Sequence, residues 1–157
     1  MIDREALTTH LDDHLAGARA ALAVLDRLDP DPRDRLDLEA LRAYIDADRV
    51  VLEGLVERLG GTPSGVKKAA GWVAGMLSRP KLADDRALGR FESLELVALG
   101  ILGKHALWCA LAELGTALPG VGALELEDLE RRAVAQHERV ERARLAWVRP
   151  AFAERSG

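Results

Sequence analysis

The stretch that decides the fold is LVALGILGKHALWCALAEL, residues 96–114. It is apolar enough to suggest a membrane span, but Lys104 and His105 lie in its middle. A spanning helix needs about 20 apolar residues, and a lysine at its centre costs roughly 2.5–3.5 kcal/mol. The longest uninterrupted run of apolar residues and glycine, residues 96–103, is too short for a span. The stretch therefore predicts a helix buried in protein, at the centre of a helical domain or at an interface.

Composition limits the class of protein. The 157 residues suit one domain, which we expect to span residues 1–157, and 48% apolar with 31% charged residues is a balance typical of soluble globular proteins. With a net charge of −4 and no basic face, we expect neither nucleic-acid nor membrane binding. The N-terminus MIDREALTTH does not resemble a signal peptide, and the single cysteine, Cys109, cannot form an internal disulfide. These features favour a reducing cytoplasm.

The rest of the chain favours helices, because leucine and alanine dominate and no segment alternates convincingly between apolar and polar residues. Asp3 and Asp31 are expected N-caps, with Pro32 in the first turn of the second helix, and Pro150 is expected to end the last helix. Over twenty residues separate the second and third helices and are expected to hold a short helix at residues 64–77. Four long helices are thus predicted at residues 3–28, 32–59, 84–114 and 124–148.

Each long helix carries an apolar stripe at helical spacing, and the pattern predicts an all-α bundle. The stripe of the first helix is Leu7, Leu11, His14, Ala18, Leu22 and Leu25. The stripe of the second is Leu38, Leu41, Ile45, Asp48, Leu52, Leu55 and Leu59. The stripe of the fourth is Leu126, Leu129, Ala133, Val140 and Trp147.

Surplus apolar surface predicts an oligomer, most simply a homodimer. The third helix is apolar nearly all round, and the short helix adds Trp72 and Met76. Exposed apolar patches of this size usually mark interfaces. Gly100 and Gly103 would let a neighbouring backbone approach the third helix closely.

The order of these elements, two helices, a crossover with a short helix and two more helices, is similar to that of the ferritin-like superfamily. The chain resembles in particular the bacterial ferritin-like stress proteins, through VERLGGTPSGVKKAAGWVAG at the end of the second helix and FESLELVALGILGKHALW and RRAVAQHERVERARL on the third and fourth. The resemblance implies a four-helix bundle with a long crossover. It also implies a di-iron site built from two glutamates and two Glu-x-x-His motifs. No Glu-x-x-His occurs in this sequence. The segments most similar to that motif are ESLE at residues 92–95 and HERVE at residues 137–141.

Four polar residues nevertheless lie on or beside the apolar stripes: His14, Asp48, Glu95 and His137. Measured along the helices, each lies roughly 17–22 Å from one end of the predicted bundle, so they share a central layer. A simple up-down bundle would give much the same layer. Imidazole and carboxylate groups together suit iron, manganese or zinc. If a metal binds, we expect Glu95, His14 and His137 as the main ligands, with the others contributing: Asp48, His10 and Glu141.

Two classes of function remain open. One is a metal-free, non-enzymatic bundle that works by association, as a structural or stress-related interaction module. The other is an iron- or manganese-binding redox protein with a non-standard site in the central layer. Asp48 is alternatively a buried polar group that pairs with Arg49, Arg90 or a histidine, and Cys109 is expected to be an inert buried thiol. No residues argue for an enzyme that acts on a small organic substrate, and the absence of Glu-x-x-His favours the association module.

Overall fold

The computed structural model describes residues 1–64, 71, 86–115, 118 and 120–154. The regular structure in these residues is helical throughout, without strands, which confirms the all-α class. The predicted helix at residues 64–77, with Trp72 and Met76, lies almost entirely outside the described residues. The helices are α1 (Arg4–Leu25), α2 (Leu38–Arg58), α3 (Arg86–Leu114), α4 (Ala123–Ala146) and α5 (Val148–Phe152).

The start of α1 is confirmed, whereas the start of α2 was placed too early. Asp3 caps α1, because its carboxylate accepts hydrogen bonds from the backbone N–H groups of Glu5 and Ala6, at 3.1 and 3.0 Å. The cap of α2 is not Asp31 but Asp37, whose carboxylate accepts from the Ala40 N–H at 2.9 Å. The six residues that precede this cap form turns and irregular structure instead of a first helical turn.

Tertiary contacts explain why the chain is not helical before Asp37. The Asp34 carboxylate oxygen Oδ2 accepts hydrogen bonds from Arg90 Nε at 2.6 Å and from Trp147 Nε1 at 2.8 Å. The next residue, Arg35, has φ 53°, a left-handed conformation that interrupts a helix. The connection between α1 and α2 is therefore anchored to α3 and to the end of α4.

Pro150 does not end the last helix, as the sequence suggested. The chain turns at Trp147 and continues as α5, in which Pro150 is the third residue. The N–H groups of the first helical turn have no partner within the helix, so a proline there removes no hydrogen bond.

The apolar stripes of α2 and α4 are confirmed, since every residue predicted for them is buried. On α1 the buried face is shifted: Leu11 and Leu25 are buried, but His14 and Leu22 are only half-buried and Leu15 takes a central place. Helix α3 packs against α1, α4 and α5, and α1 also packs against α2. The largest fully buried side chain is that of Trp108 on α3.

Helix α3 is buried on one side only, so the apolar stretch has two environments. Leu94, Ile101 and Trp108 lie in the core, whereas the side chains of Leu99 and Leu102 are 59% and 46% exposed. Among the described helices, α3 is the one long and apolar enough to cross a membrane, with a mean hydropathy of 1.5. This is weak support for a span, because the central helix of a soluble protein has the same length and composition.

Candidate functional site

A network of charged and polar side chains lies in the core where α2, α3 and α4 meet. Lys104 Nζ donates hydrogen bonds to Asp48 Oδ2 and to Gln136 Oε1, both at 2.5 Å. Arg132 Nη2 donates to the other carboxylate oxygen, Asp48 Oδ1, at 2.7 Å. Gln136 Nε2 closes the network with a 3.3 Å contact to Asp48 Oδ2. Asp48, Lys104 and Gln136 are all buried, and the half-buried Arg132 connects them to the surface.

Helical spacing explains how the network forms. Asp48 lies on the apolar stripe of α2, so it enters the core with its neighbours Ile45 and Leu52. Arg132 and Gln136 are one turn apart on α4 and therefore approach the same carboxylate. Burial lowers the pKa of Lys104, while the charge of Asp48 opposes this shift.

A cavity of about 350 Å³ lies beside the network, between α1, α2 and α3. Lys104 forms part of its wall together with Ile45, Leu52 and Ile101. The ammonium group has three N–H donors, and two of them are used by Asp48 and Gln136. The cavity thus has largely apolar walls and one buried cation, Lys104, among its lining residues.

The two histidines of α1 line the same cavity. The rings of His10 and His14 meet edge to face, with their centroids 4.8 Å apart. Burial, followed by the charge of His10, lowers the pKa of His14, and Asp13 partly opposes this effect. His14 is therefore preferentially neutral in the folded protein, the form in which imidazole binds metals.

The predicted ligands Glu95 and Glu141 lie on α3 and α4 and share an arginine. Arg144 Nη1 lies 3.3 Å from Glu95 Oε1, and Arg144 donates to both carboxylate oxygens of Glu141, at 2.6 and 2.8 Å. These hydrogen bonds lower the pKa of Glu141, and the nearby His137 adds to the effect. The sequence predicted that the charge of Glu95 lies on an apolar stripe. In the structure its side chain is 47% exposed, so solvent and the guanidinium group of Arg144 compensate that charge.

Asp48 has different partners from those expected. Arg49 pairs with Asp46 and Glu53 on its own helix, and Arg90 pairs with Asp34. Consecutive helical residues point about 100° apart, so Arg49 cannot follow its neighbour into the core. The positive charge that Asp48 needs comes instead from Lys104, which is also buried.

One group of three metal-ligating side chains is found in the described part of the chain, and it contains none of the six predicted ligands. It consists of His105, Cys109 and Glu130, whose ligand atoms all lie within 4.8 Å of one another. The sequence carries a signal for two of the three residues, since His105 and Cys109 are four residues apart and share one face of α3. The third member comes from α4, and only the packing of α3 against α4 brings it near.

Comparison of the chain with models of protein families, with curated proteins and with solved structures finds no match.

Proposed function

We propose that the protein is a ferritin-like four-helix bundle that works by association, with an ion pair at its centre instead of a redox metal. The Asp48–Lys104 contact of 2.5 Å in the core is the observation that carries this proposal. The lysine ammonium supplies the positive charge that a metal ion would supply to such a carboxylate. It would also repel a cation that approached the same oxygen atoms.

The contacts between helices support the bundle arrangement. Helix α1 packs against α2 and α3, and α3 packs against α4. The hydrogen bonds of Asp48 to Arg132 and Gln136 connect α2 to α4. Each of the four long helices thus contacts at least two others, as expected of a four-helix bundle.

The partner we propose is a second copy of this chain, in a reducing cytoplasm. Leu99 and Leu102 protrude from α3. Beside them is an apolar groove of about 240 Å³ that includes Gly17, Ala21 and Gly100 in its walls. A two-fold interface requires one surface that is complementary to itself, and here the same surface carries both protruding leucines and a groove. We call the surface formed by Leu99, Leu102 and this groove the α1–α3 face.

Light scattering tests the self-association. At high micromolar concentration the wild type should have the mass of a dimer, and Leu102→Glu, which puts a charge on the α1–α3 face, should have the mass of a monomer. Leu124→Glu is the matched control, because Leu124 is 81% exposed on α4 and lies outside this face. A monomeric wild type, or binding of the wild type to lipid vesicles that Leu102→Glu abolishes, would contradict a homodimer.

The iron- or manganese-binding alternative is tested by metal analysis of protein grown with either metal. The proposal expects neither metal in the purified protein and no uptake on titration. The alternative expects about one or two equivalents, which Glu95→Gln removes. Because the Glu95 side chain is 47% exposed and its contact with Arg144 is long, at 3.3 Å, Glu95→Gln should change the free energy of unfolding by less than about 1 kcal/mol, so a loss of metal could not be attributed to unfolding.

A further inference from the structure

Three side chains with different ligand atoms meet at the boundary between α3 and α4. His105 and Cys109 are one helical turn apart on α3, and Glu130 lies on α4. An imidazole nitrogen, a thiol sulfur and a carboxylate oxygen from these residues all lie within 4.8 Å of one another. All three residues are half-buried, so the cluster is held by the helices and remains accessible to solvent ions.

The separation of two of these atoms suits tetrahedral zinc. In such sites zinc lies about 2.3 Å from sulfur and 2.0–2.1 Å from nitrogen, which places the two ligand atoms roughly 3.6 Å apart. Cys109 Sγ lies 3.7 Å from His105 Nε2. The two ligand atoms of α3 therefore already have the separation that zinc requires, and a carboxylate oxygen of Glu130 lies within 4.8 Å of both.

The charge of the cluster also suits a divalent cation. In the described part of the chain no lysine or arginine forms a salt bridge with Glu130, although its neighbours Asp128 and Arg132 on α4 form them. A divalent cation would displace the thiol proton of Cys109 and bind the resulting thiolate beside the Glu130 carboxylate.

The combination of ligand atoms selects zinc over the harder metals. Zinc accepts sulfur, nitrogen and oxygen ligands, whereas magnesium and calcium prefer oxygen alone. Three protein ligands leave the fourth tetrahedral position for a water molecule.

We propose that His105, Cys109 and Glu130 form a zinc site with three protein ligands and one exchangeable water. Binding forms a zinc–sulfur bond and releases the thiol proton to solvent. The site joins α3 to α4, lies apart from the Asp48–Lys104 pair, and uses none of the residues predicted to bind iron or manganese. A protein that binds no zinc could therefore still associate, and a monomeric protein could still bind zinc.

The experiment is a zinc titration of the chelator-stripped full-length protein in competition with a chromophoric chelator. Cobalt(II) is then used as a spectroscopic substitute for zinc. We expect one equivalent of zinc per chain and, with cobalt, a thiolate-to-metal charge-transfer band together with the strong visible bands of a four-coordinate ion. Cys109→Ser should abolish the charge-transfer band, and His105→Gln and Glu130→Gln should each weaken zinc binding at least tenfold, because loss of even an outer-shell partner of a metal site typically costs roughly 10–100-fold.

Glu138→Gln is the matched control for Glu130→Gln, because Glu138 is an exposed glutamate of α4 outside the cluster. It should bind zinc and cobalt as the wild type does, and circular dichroism should show that every variant remains helical. Bound zinc should also slow the alkylation of Cys109 in the wild type. This second measurement does not depend on the variants folding. A folded wild type that binds no zinc would overturn the proposal. So would a cobalt charge-transfer band that persists in Cys109→Ser.

Discussion

Lys104 Nζ lies 2.5 Å from Asp48 Oδ2, although the two residues are 56 positions apart in the sequence. Both side chains are buried, and the only neutral member of their network, Gln136, accepts a second hydrogen bond from the same ammonium group. The pair therefore connects α2 to α3, and Gln136 extends the connection to α4. Such a network disfavours other registers of the helices, because any shift would leave a buried charge without its partner.

We expect Lys104→Met to lower the free energy of unfolding by about 3–5 kcal/mol, since among the described residues it leaves Arg132 as the one charged partner of a buried carboxylate. The triple variant Asp48→Leu, Lys104→Leu, Gln136→Leu should recover most of this loss, because it removes every buried member of the network together. Urea unfolding followed by circular dichroism measures both effects.

The control for this series is Arg131→Met. Arg131 forms a salt bridge with Asp128 on the surface of α4, and its side chain is 73% exposed. Its loss should change the free energy of unfolding by less than about 1 kcal/mol. If Lys104→Met lowered the free energy of unfolding as little as Arg131→Met does, the buried pair would contribute no more to stability than a surface pair.

The stability of the protein should fall as the pH is lowered from about 6.5, because the pKa of His14 is lower in the folded protein than the ordinary value for histidine of about 6.5. Above that pH the imidazole is neutral in both states and contributes no pH dependence. Below it the unfolded chain binds the proton first, so the folded state loses stability until the pH has passed the lowered pKa. His14→Gln should flatten this part of the curve.

Thermal unfolding at a series of pH values measures the effect, and NMR titration of the imidazole gives the pKa of His14 directly. His137→Gln provides the comparison with a histidine outside the cavity. This prediction would be wrong if the stability of His14→Gln depended on pH as steeply as that of the wild type. It would also be wrong if the pKa of His14 in the folded protein were above 6.5.

Asp34→Asn should lower the free energy of unfolding by about 3 kcal/mol, because Arg90 then lacks the carboxylate that pairs with it in a nearly fully buried contact. Burial alone would raise the pKa of Asp34, but hydrogen bonds from Arg90 and Trp147 outweigh it and hold the pKa below the ordinary value for aspartate. The stabilisation is therefore complete above about pH 4 and is lost as the pH falls through the lowered pKa.

Acid unfolding monitored by tryptophan fluorescence and circular dichroism tests this dependence. The wild type should lose stability more steeply than Asp34→Asn below pH 4. Asp46→Asn is the matched control, because Asp46 pairs with Arg49 but its side chain is 52% exposed. Equal acid sensitivity of the wild type and Asp34→Asn would mean that Asp34 is not the group responsible.

Gly100→Ala should stabilise the monomer and weaken the proposed dimer. No atom lies within 4 Å of a Cβ placed on Gly100, so the methyl group fits within one chain. Replacing a glycine inside a helix by alanine typically stabilises it by about 0.5–1 kcal/mol. The same methyl group would narrow the groove of the α1–α3 face into which the second copy fits. Sedimentation as a function of concentration measures the association, and urea unfolding measures the stability.

Gly54→Ala serves as the matched control for that substitution. Gly54 lies inside α2, and a Cβ there would meet Arg58 at an ordinary contact distance of 3.6 Å. This variant should gain stability and keep the association of the wild type. A Gly100→Ala protein that associates as tightly as Gly54→Ala would argue against the α1–α3 face as the interface.

The sequence alone determined the helical class and most of the core. The stripes of α2 and α4 could be predicted because residues at helical spacing share one face of a helix, whatever the helix packs against. The cap at Asp3 could be predicted for a similar reason, since it depends on hydrogen bonds to residues two and three positions away. Local geometry was enough for all of these features.

The tertiary structure decided which polar groups meet. Asp48 was recognised as a polar residue on an apolar stripe, but its partner Lys104 lies on another helix. The spacing of residues within one helix does not predict a contact between two helices. The start of α2 was misplaced for the same reason, because Asp34 is held by Arg90 and Trp147, which are distant in sequence. Glu130 completes the cluster of His105 and Cys109 only because α4 packs against α3. Side-chain periodicity is a property of one helix, whereas the pairing of charges depends on how helices are placed against each other.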